Sequence, residues 1–299
     1  MTLYTQVANN RLKTWVFLII YTALLLAVGY GGAWYLQSSD ILLIVGVIAI
    51  AQGFIGYWWS DSIALAISRA EPMDEKRYRR VYKIVENLSI TAGLPMPRLY
   101  IIHDTPINAF ATGRDPKHAA IAVTEGAIDK LNDNELSGVL AHELSHVGNE
   151  DIRLMSLVMV IGGMIALLSD FMLRSMWWGG GRRRDNESGN LNAILMLIAI
   201  VLALLAPLAA TLIQLAISRK REFQADANGV LLTRYPEGLI SALQKIEADN
   251  EPLAEANKAT AHMYFSNPLS AGAIANLFST HPPLEDRIAA LKKGSGIPS

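Results

Sequence analysis

Between Trp15 and Leu36 the chain carries no charged side chain, and between Ile41 and Ser60 it again carries none. Each run reaches the ~20 residues that a helix needs to cross the hydrocarbon core of a bilayer. Two further runs follow: Leu154–Leu173, interrupted only by Asp170 near its end, and Leu191–Ile217, uncharged with Pro207 inside it. Of the 299 residues, 52% are hydrophobic and 18% charged, too apolar a balance for an ordinary soluble globule. All six tryptophans (Trp15, Trp34, Trp58, Trp59, Trp177 and Trp178) lie at or just beyond the ends of the first three runs. Amphipathic rings collect there, at headgroup level. Helices buried in a large soluble core are the alternative, and they leave that placement to coincidence. The first run is too long for the apolar part of a signal peptide, so a retained anchor is expected.

Orientation follows the basic residues. Arg11 and Lys13 precede the first run, the link Gln37–Asp40 has none, and Arg69, Lys76, Arg77, Arg79 and Arg80 follow the second. The first hairpin therefore has both ends in the cytoplasm. The link between runs three and four carries Arg174 and Arg182–Arg184 beside Gly179–Gly181. If both runs span, these arginines are exported against the bias. A hairpin that dips into the membrane without crossing is the alternative to the spanning hairpin expected here.

The division that results is a membrane hairpin (1–60), a polar block (61–153), a second hydrophobic hairpin (154–217) and a second polar block (218–299). In the first polar block Glu75–Ala92 has helical spacing at Val81, Ile84, Val85 and Leu88 and is closed by Gly93 and Pro95. Arg98–Ile102 and His118–Thr124 are short and rich in strand formers. Asn132–Gly148 is the next helix, with Asn132 as cap and Glu135 three residues on. The second block reads as mostly helical. The net charge of −1 gives no reason to expect a nucleic-acid partner, and the absence of cysteine removes thiolate ligands and nucleophiles. Any metal ligand must be His, Asp or Glu.

The helix over 132–148 contains His142-Glu143-Leu144-Ser145-His146. Residues four apart share a helix face, so both imidazoles can address one ion, and Glu143 is placed to reach the attacking water. This pattern arises by chance in about one in a hundred chains of this length. Two histidines on a partly exposed helix is the plain alternative. Catalytic zinc keeps three protein ligands and one open position. Glu222 is the candidate third ligand, and Asp226, four residues on, can accept the free ring N–H of a ligating histidine. Taken alone, such a pair is more often a solvated helix face.

The strings Ala141–His146 and Arg221–Asp226, set among four hydrophobic runs, resemble the HtpX family of bacterial membrane metallopeptidases, relatives of the prenyl-protein endopeptidases. Asn108–Gly113 and Ser279–Arg287 extend the resemblance over nearly the whole chain. It implies membrane-spanning helices joined to a mainly helical, zincin-like (gluzincin) protease domain with a small β-sheet. It also implies one bound zinc on His142, His146 and Glu222, with Glu143 catalytic. An active site on the cytoplasmic side of the inner membrane and unfolded or damaged membrane proteins as substrates follow from the same resemblance. Gly148–Asp151 departs from the family pattern, which has a basic residue and a glycine there.

Two motifs stay open. Asn108, Ala109 and Phe110 could form an edge that pairs with an extended substrate, or a plain turn closed by Gly113. His281, before Pro282 and Pro283, is a candidate hydrogen-bond donor to the oxyanion, or only part of the turn that opens the last helix. Two rival functions are weaker. A transporter would place charges within its spans, where only Asp170 qualifies, and a metal-holding scaffold would not need Glu143. A processing protease with one defined substrate is a narrower version of the same chemistry.

Overall fold

A computed structural model of the chain describes residues 3–35, 37–162, 219–249, 264–265 and 282–297. The apolar runs beyond residue 162, with Trp177, Trp178 and the loop arginines, lie outside the described residues, as does His281.

Helix α1, Leu3–Tyr35, and helix α2, Asp40–Trp58, form the first hairpin. At 1.5 Å per residue α1 is about 50 Å long, more than a bilayer core requires. Its segment Val7–Trp34 is long and apolar enough to cross a membrane. One stripe of α1, Asn10, Thr14, Phe17, Tyr21 and Leu25, recurs every third or fourth residue and is buried. Leu12, Ile19 and Ile20 of α1 and Leu43, Ile44, Val47 and Ile50 of α2 are exposed instead. Such an apolar surface suits lipid rather than water. Two devices known from membrane helices hold the pair. Tyr21 donates to Gln52 Oε1 across the interface at 2.6 Å, and Gly29 lets the Val45 side chain approach where a methyl group would collide with it. A bend of 77° at Trp59 separates α2 from helix α3, Ser60–Ile67.

A four-stranded sheet follows, in the order β1-β2-β4-β3. Its strands are β1 Glu71–Pro72, β2 Arg98–Ile102, β3 Ala109–Thr112 and β4 Ala120–Thr124. β2 and β4 are parallel and pair Arg98 with Ala120, whereas β3 runs antiparallel to β4 and pairs Ala109 with Val123. Every residue of β4 is buried. Side chains alternate across a strand, so β4 serves two cores. Ile121 and Val123 join the large core with Val81, Leu140 and Leu144. Ala120 and Ala122 join a smaller one with Phe110, Met159 and Tyr264. Residues 151–162 are helical, and every residue from 154 to 161 is buried, so the third apolar run begins wrapped in protein.

Two element boundaries differ from expectation. Helix α4 is Arg79–Ala92 and starts four residues late, because the Asp74 carboxylate accepts the Arg77 N–H at 2.8 Å and turns the chain first. It ends as expected at Gly93, at φ 65°. β4 starts at Ala120 and not His118. Asp115 caps a 3-10 turn over Pro116–His118 by accepting the N–H groups of Lys117 and His118.

Helix α5, Glu125–Lys130, leads into helix α6, Asp133–Gly148. The α6 capping box is complete. Asn132 Oδ1 accepts from Asn134 N and Glu135 N, and Glu135 Oε2 accepts from Asn132 N at 2.8 Å. Against α6 pack helices α7, Arg219–Thr233, and α8, Pro236–Ala248. Helix α9, Leu284–Ser295, closes over α7 and α8.

Candidate metal centre

One turn of α6 separates His142 from His146, and their Nε2 atoms stand 3.2 Å apart. α7 crosses close enough to bring Glu222 to both. Gly229 eases this approach: a Cβ there would sit 3.1 Å from the His142 backbone nitrogen, tighter than most packed contacts. Glu222 Oε2 lies 3.6 Å from His142 Nε2, and Oε1 lies 3.7 Å from His146 Nε2. Bonds of about 2.0–2.1 Å in a tetrahedral shell set neighbouring donor atoms about 3.3–3.4 Å apart. The three separations bracket that spacing, so these residues could hold one metal ion.

Each imidazole turns its other nitrogen to a carboxylate. His142 Nδ1 is 2.8 Å from Asp226 Oδ1, and His146 Nδ1 is 3.1 Å from Asp151 Oδ2. A ring whose Nδ1–H is donated in this way keeps the Nε2 lone pair for a metal. Asp226 is anchored in turn by Arg287 of α9, which donates from Nε to Oδ2 at 2.9 Å and from NH2 to Oδ1 at 2.6 Å. Phe265 and His142 form a T-shaped ring pair at 4.7 Å between centroids, and the Arg287 guanidinium lies over the Phe265 ring.

His142, Glu143, His146, Glu222 and Asp226 are all less than 5% exposed. Asp151 is 1% exposed, so the cluster buries four carboxylates, those of Glu143, Asp151, Glu222 and Asp226. Two guanidiniums offset them: Arg287 on Asp226, and Arg221, whose NH1 reaches Asp151 at 3.2 Å. A divalent cation on His142, His146 and Glu222 would add to that compensation. The imidazole of His146 feels the same field. Burial disfavours its charged form, yet Asp151, Glu222 and Glu143 push it up to about 9. Burial likewise opposes ionisation of Asp226, but Arg287 and His142 hold it down at about 2, so it stays a carboxylate.

The sequence reading did not single out Asp151, Arg287 or Phe265. Asp151 lies in the very stretch that departs from the family pattern, and Arg287 ends the last string that carried the resemblance. The expected glycine is explained by the backbone. Glu150 has φ 55°, the left-handed conformation that glycine adopts without strain. Asn108, Ala109 and Phe110 are buried; Ala109 and Phe110 belong to β3, the outer strand of the sheet, and Asn108 directly precedes it. The Ala109 carbonyl on that edge already accepts the Phe265 N–H at 2.8 Å.

The sequence profile of peptidase family M48 matches residues 75–295, about three quarters of the chain and every metal-site residue named above. The chain belongs to peptidase family M48. Within it the chain is a member of the HtpX group. It is 45% identical to a protease HtpX homolog of Caldanaerobacter subterraneus subsp. tengcongensis, over 97% of both chains. With homologs of the same name from Thermoanaerobacter pseudethanolicus and Tropheryma whipplei it shares 44% identity, over 97% of this chain. The crystal structure of S. mikatae Ste24p has the same fold at 17% identity. The TM-score is 0.50, and the match covers 96% of this chain and 67% of that one. As an M48 peptidase of the HtpX group carrying the apolar helix α1, the chain is a membrane metallopeptidase.

Proposed function

We propose that this chain is a zinc-dependent endopeptidase in which His142, His146 and Glu222 hold the ion and Glu143 is the general base. One observation carries the reading: two Nε2 atoms and one carboxylate converge, while both Nδ1 atoms are tied to carboxylates. Nitrogen and oxygen donors without thiolate suit zinc in a hydrolytic site. Zinc held by His142, His146 and Glu222 would supply a Lewis acid for the scissile carbonyl and for the attacking water. Glu143 accepts that proton on its carboxylate and returns it to the departing amine. Asp226 and Asp151 keep the imidazoles in the tautomer that ligation needs. His281 is proposed as a donor to the oxyanion. A substrate strand laid along the β3 edge would have to displace or extend the segment at Phe265 that now occupies the Ala109 carbonyl.

The substrates proposed are unfolded or damaged membrane proteins, met in the cytoplasmic membrane by a multi-pass enzyme whose site faces the cytoplasm. The basic residues that flank the first hairpin support that orientation, and the site limits how the second hairpin can cross. His146 and Glu222 flank the second hydrophobic hairpin yet meet at one point, so an even number of crossings separates them. Purified protein should degrade an unfolded test substrate, lose this activity to a chelator and regain it with zinc. Degradation that a chelator leaves untouched would sink the metal reading. A cysteine at Ser188 should be labelled from outside by an impermeant reagent; labelling only after permeabilisation would turn the hairpin into a re-entrant element.

A further inference from the structure

We infer that Asn10 and Arg11, on the first turns of the membrane helix α1, are positioning residues that aim Asp151 at His146 and so tune metal affinity. The inference rests on the metal-site reading above. Were α6 to continue unbroken, Asp151 would lie five residues past His146 and about 140° around the helix, out of reach of its ring. The left-handed break at Glu150 turns it back. A side chain in that conformation is strained and persists only when its surroundings hold it there.

Here α1 supplies the hold. Arg11 donates from Nε to Glu150 Oε2 at 3.0 Å and from NH2 to Oε1 at 2.5 Å, and Arg153 also reaches Glu150 Oε2, at 2.9 Å. Asn10, 5% exposed, donates through Nδ2 to the Asn149 carbonyl at 2.9 Å and to Asp151 Oδ1 at 2.7 Å. Arg221 reaches the same oxygen, which leaves Oδ2 for His146 Nδ1. With Oδ1 pinned from two sides, the carboxylate has one orientation. The chain that ties α1 to the proposed metal ligand is therefore Asn10, Asp151, His146, each link a hydrogen bond between buried groups. A helix that only anchored the protein would need none of these contacts.

The test is zinc affinity of the full-length protein in detergent, measured by competition with a chelator. Asn10→Ala should weaken binding about tenfold, at the lower end of what partners of metal ligands contribute. Asn10→Asp keeps the shape but sets a second carboxylate against Asp151, so it should bind zinc more weakly than Asn10→Ala. A role in packing alone predicts the opposite order, with Asn10→Asp close to wild type. The turn has its own arm. Glu150→Gly loses both arginine contacts but takes the left-handed conformation without strain, and should keep near wild-type affinity. Glu150→Ala loses the same contacts and keeps the strain, and should bind several-fold more weakly. If both Asn10 variants bind zinc like wild type, or Glu150→Ala matches Glu150→Gly, the inference is overturned. A wild-type protein that binds no zinc would overturn the metal reading itself, a result distinct from either.

Discussion

Arg287, wholly buried in α9, grips both oxygens of Asp226, and the same carboxylate holds Nδ1 of His142. The last described helix thus reaches the metal centre through one residue. Removing the guanidinium leaves a buried carboxylate uncompensated, which typically costs about 3–5 kcal/mol. Arg287→Ala should therefore lower both stability and metal affinity. Arg287→Lys restores the charge without the two-pronged geometry and should recover only part of each. Denaturant titration of the metal-free protein, set beside zinc competition, separates the two effects. A wild-type result for Arg287→Ala in both would deny Arg287 this part.

Glu143→Gln keeps the size of the side chain and removes its basicity. Zinc should remain stoichiometric by metal analysis while cleavage of an unfolded substrate falls by at least the ~10²-fold typical of general bases. Near wild-type turnover would show that another group takes the proton.

Asp226→Asn leaves the ligands in place and an oxygen within reach of His142 Nδ1, but removes the negative charge that raises ring basicity. Zinc affinity or turnover should drop roughly 10–100-fold. Unchanged values would reduce Asp226 to a structural partner of Arg287.

Far from the metal, Glu135 closes the α6 capping box and also meets Lys245 Nζ at 2.7 Å and Ser241 Oγ at 2.6 Å. Burial opposes its ionisation, but Lys245, Ser241 and the Asn132 N–H outweigh that and hold its pKa below the usual glutamate value. A folded-state pKa below the unfolded one stabilises the protein above the unfolded value, and the benefit is lost as pH falls through the folded value. Thermal stability should therefore drop on acidification below about pH 4.3, the unperturbed glutamate pKa, and the drop should be shallower in Glu135→Gln. Asn132→Ala should cost about 0.5–2 kcal/mol at neutral pH. Equal acid sensitivity of Glu135→Gln and wild type would assign the loss elsewhere.

Local periodicity and local hydrogen bonding are what the sequence by itself determined. The spacing of four between His142 and His146, and between Glu222 and Asp226, places each pair on one helix face wherever the helices lie. Asn132 with Glu135 announces the start of α6, and Gly93 the end of α4, because caps and left-handed stops are made within a single turn. The apolar stretch of α1 was legible for the same reason. Tertiary structure alone decided which carboxylate serves which imidazole. Asp226 reaches His142 across 84 residues, Arg287 reaches Asp226 across 61, and Asn10 reaches Asp151 across 141. No short-range pattern encodes these distances. Asp151 sits at a spacing that an unbroken helix would disqualify, and only the backbone of Glu150, bent left-handed under the grip of Arg11 and Arg153, brings it to His146. Side-chain chemistry chose the donors, and the packing of α1, α7 and α9 around α6 set where they point.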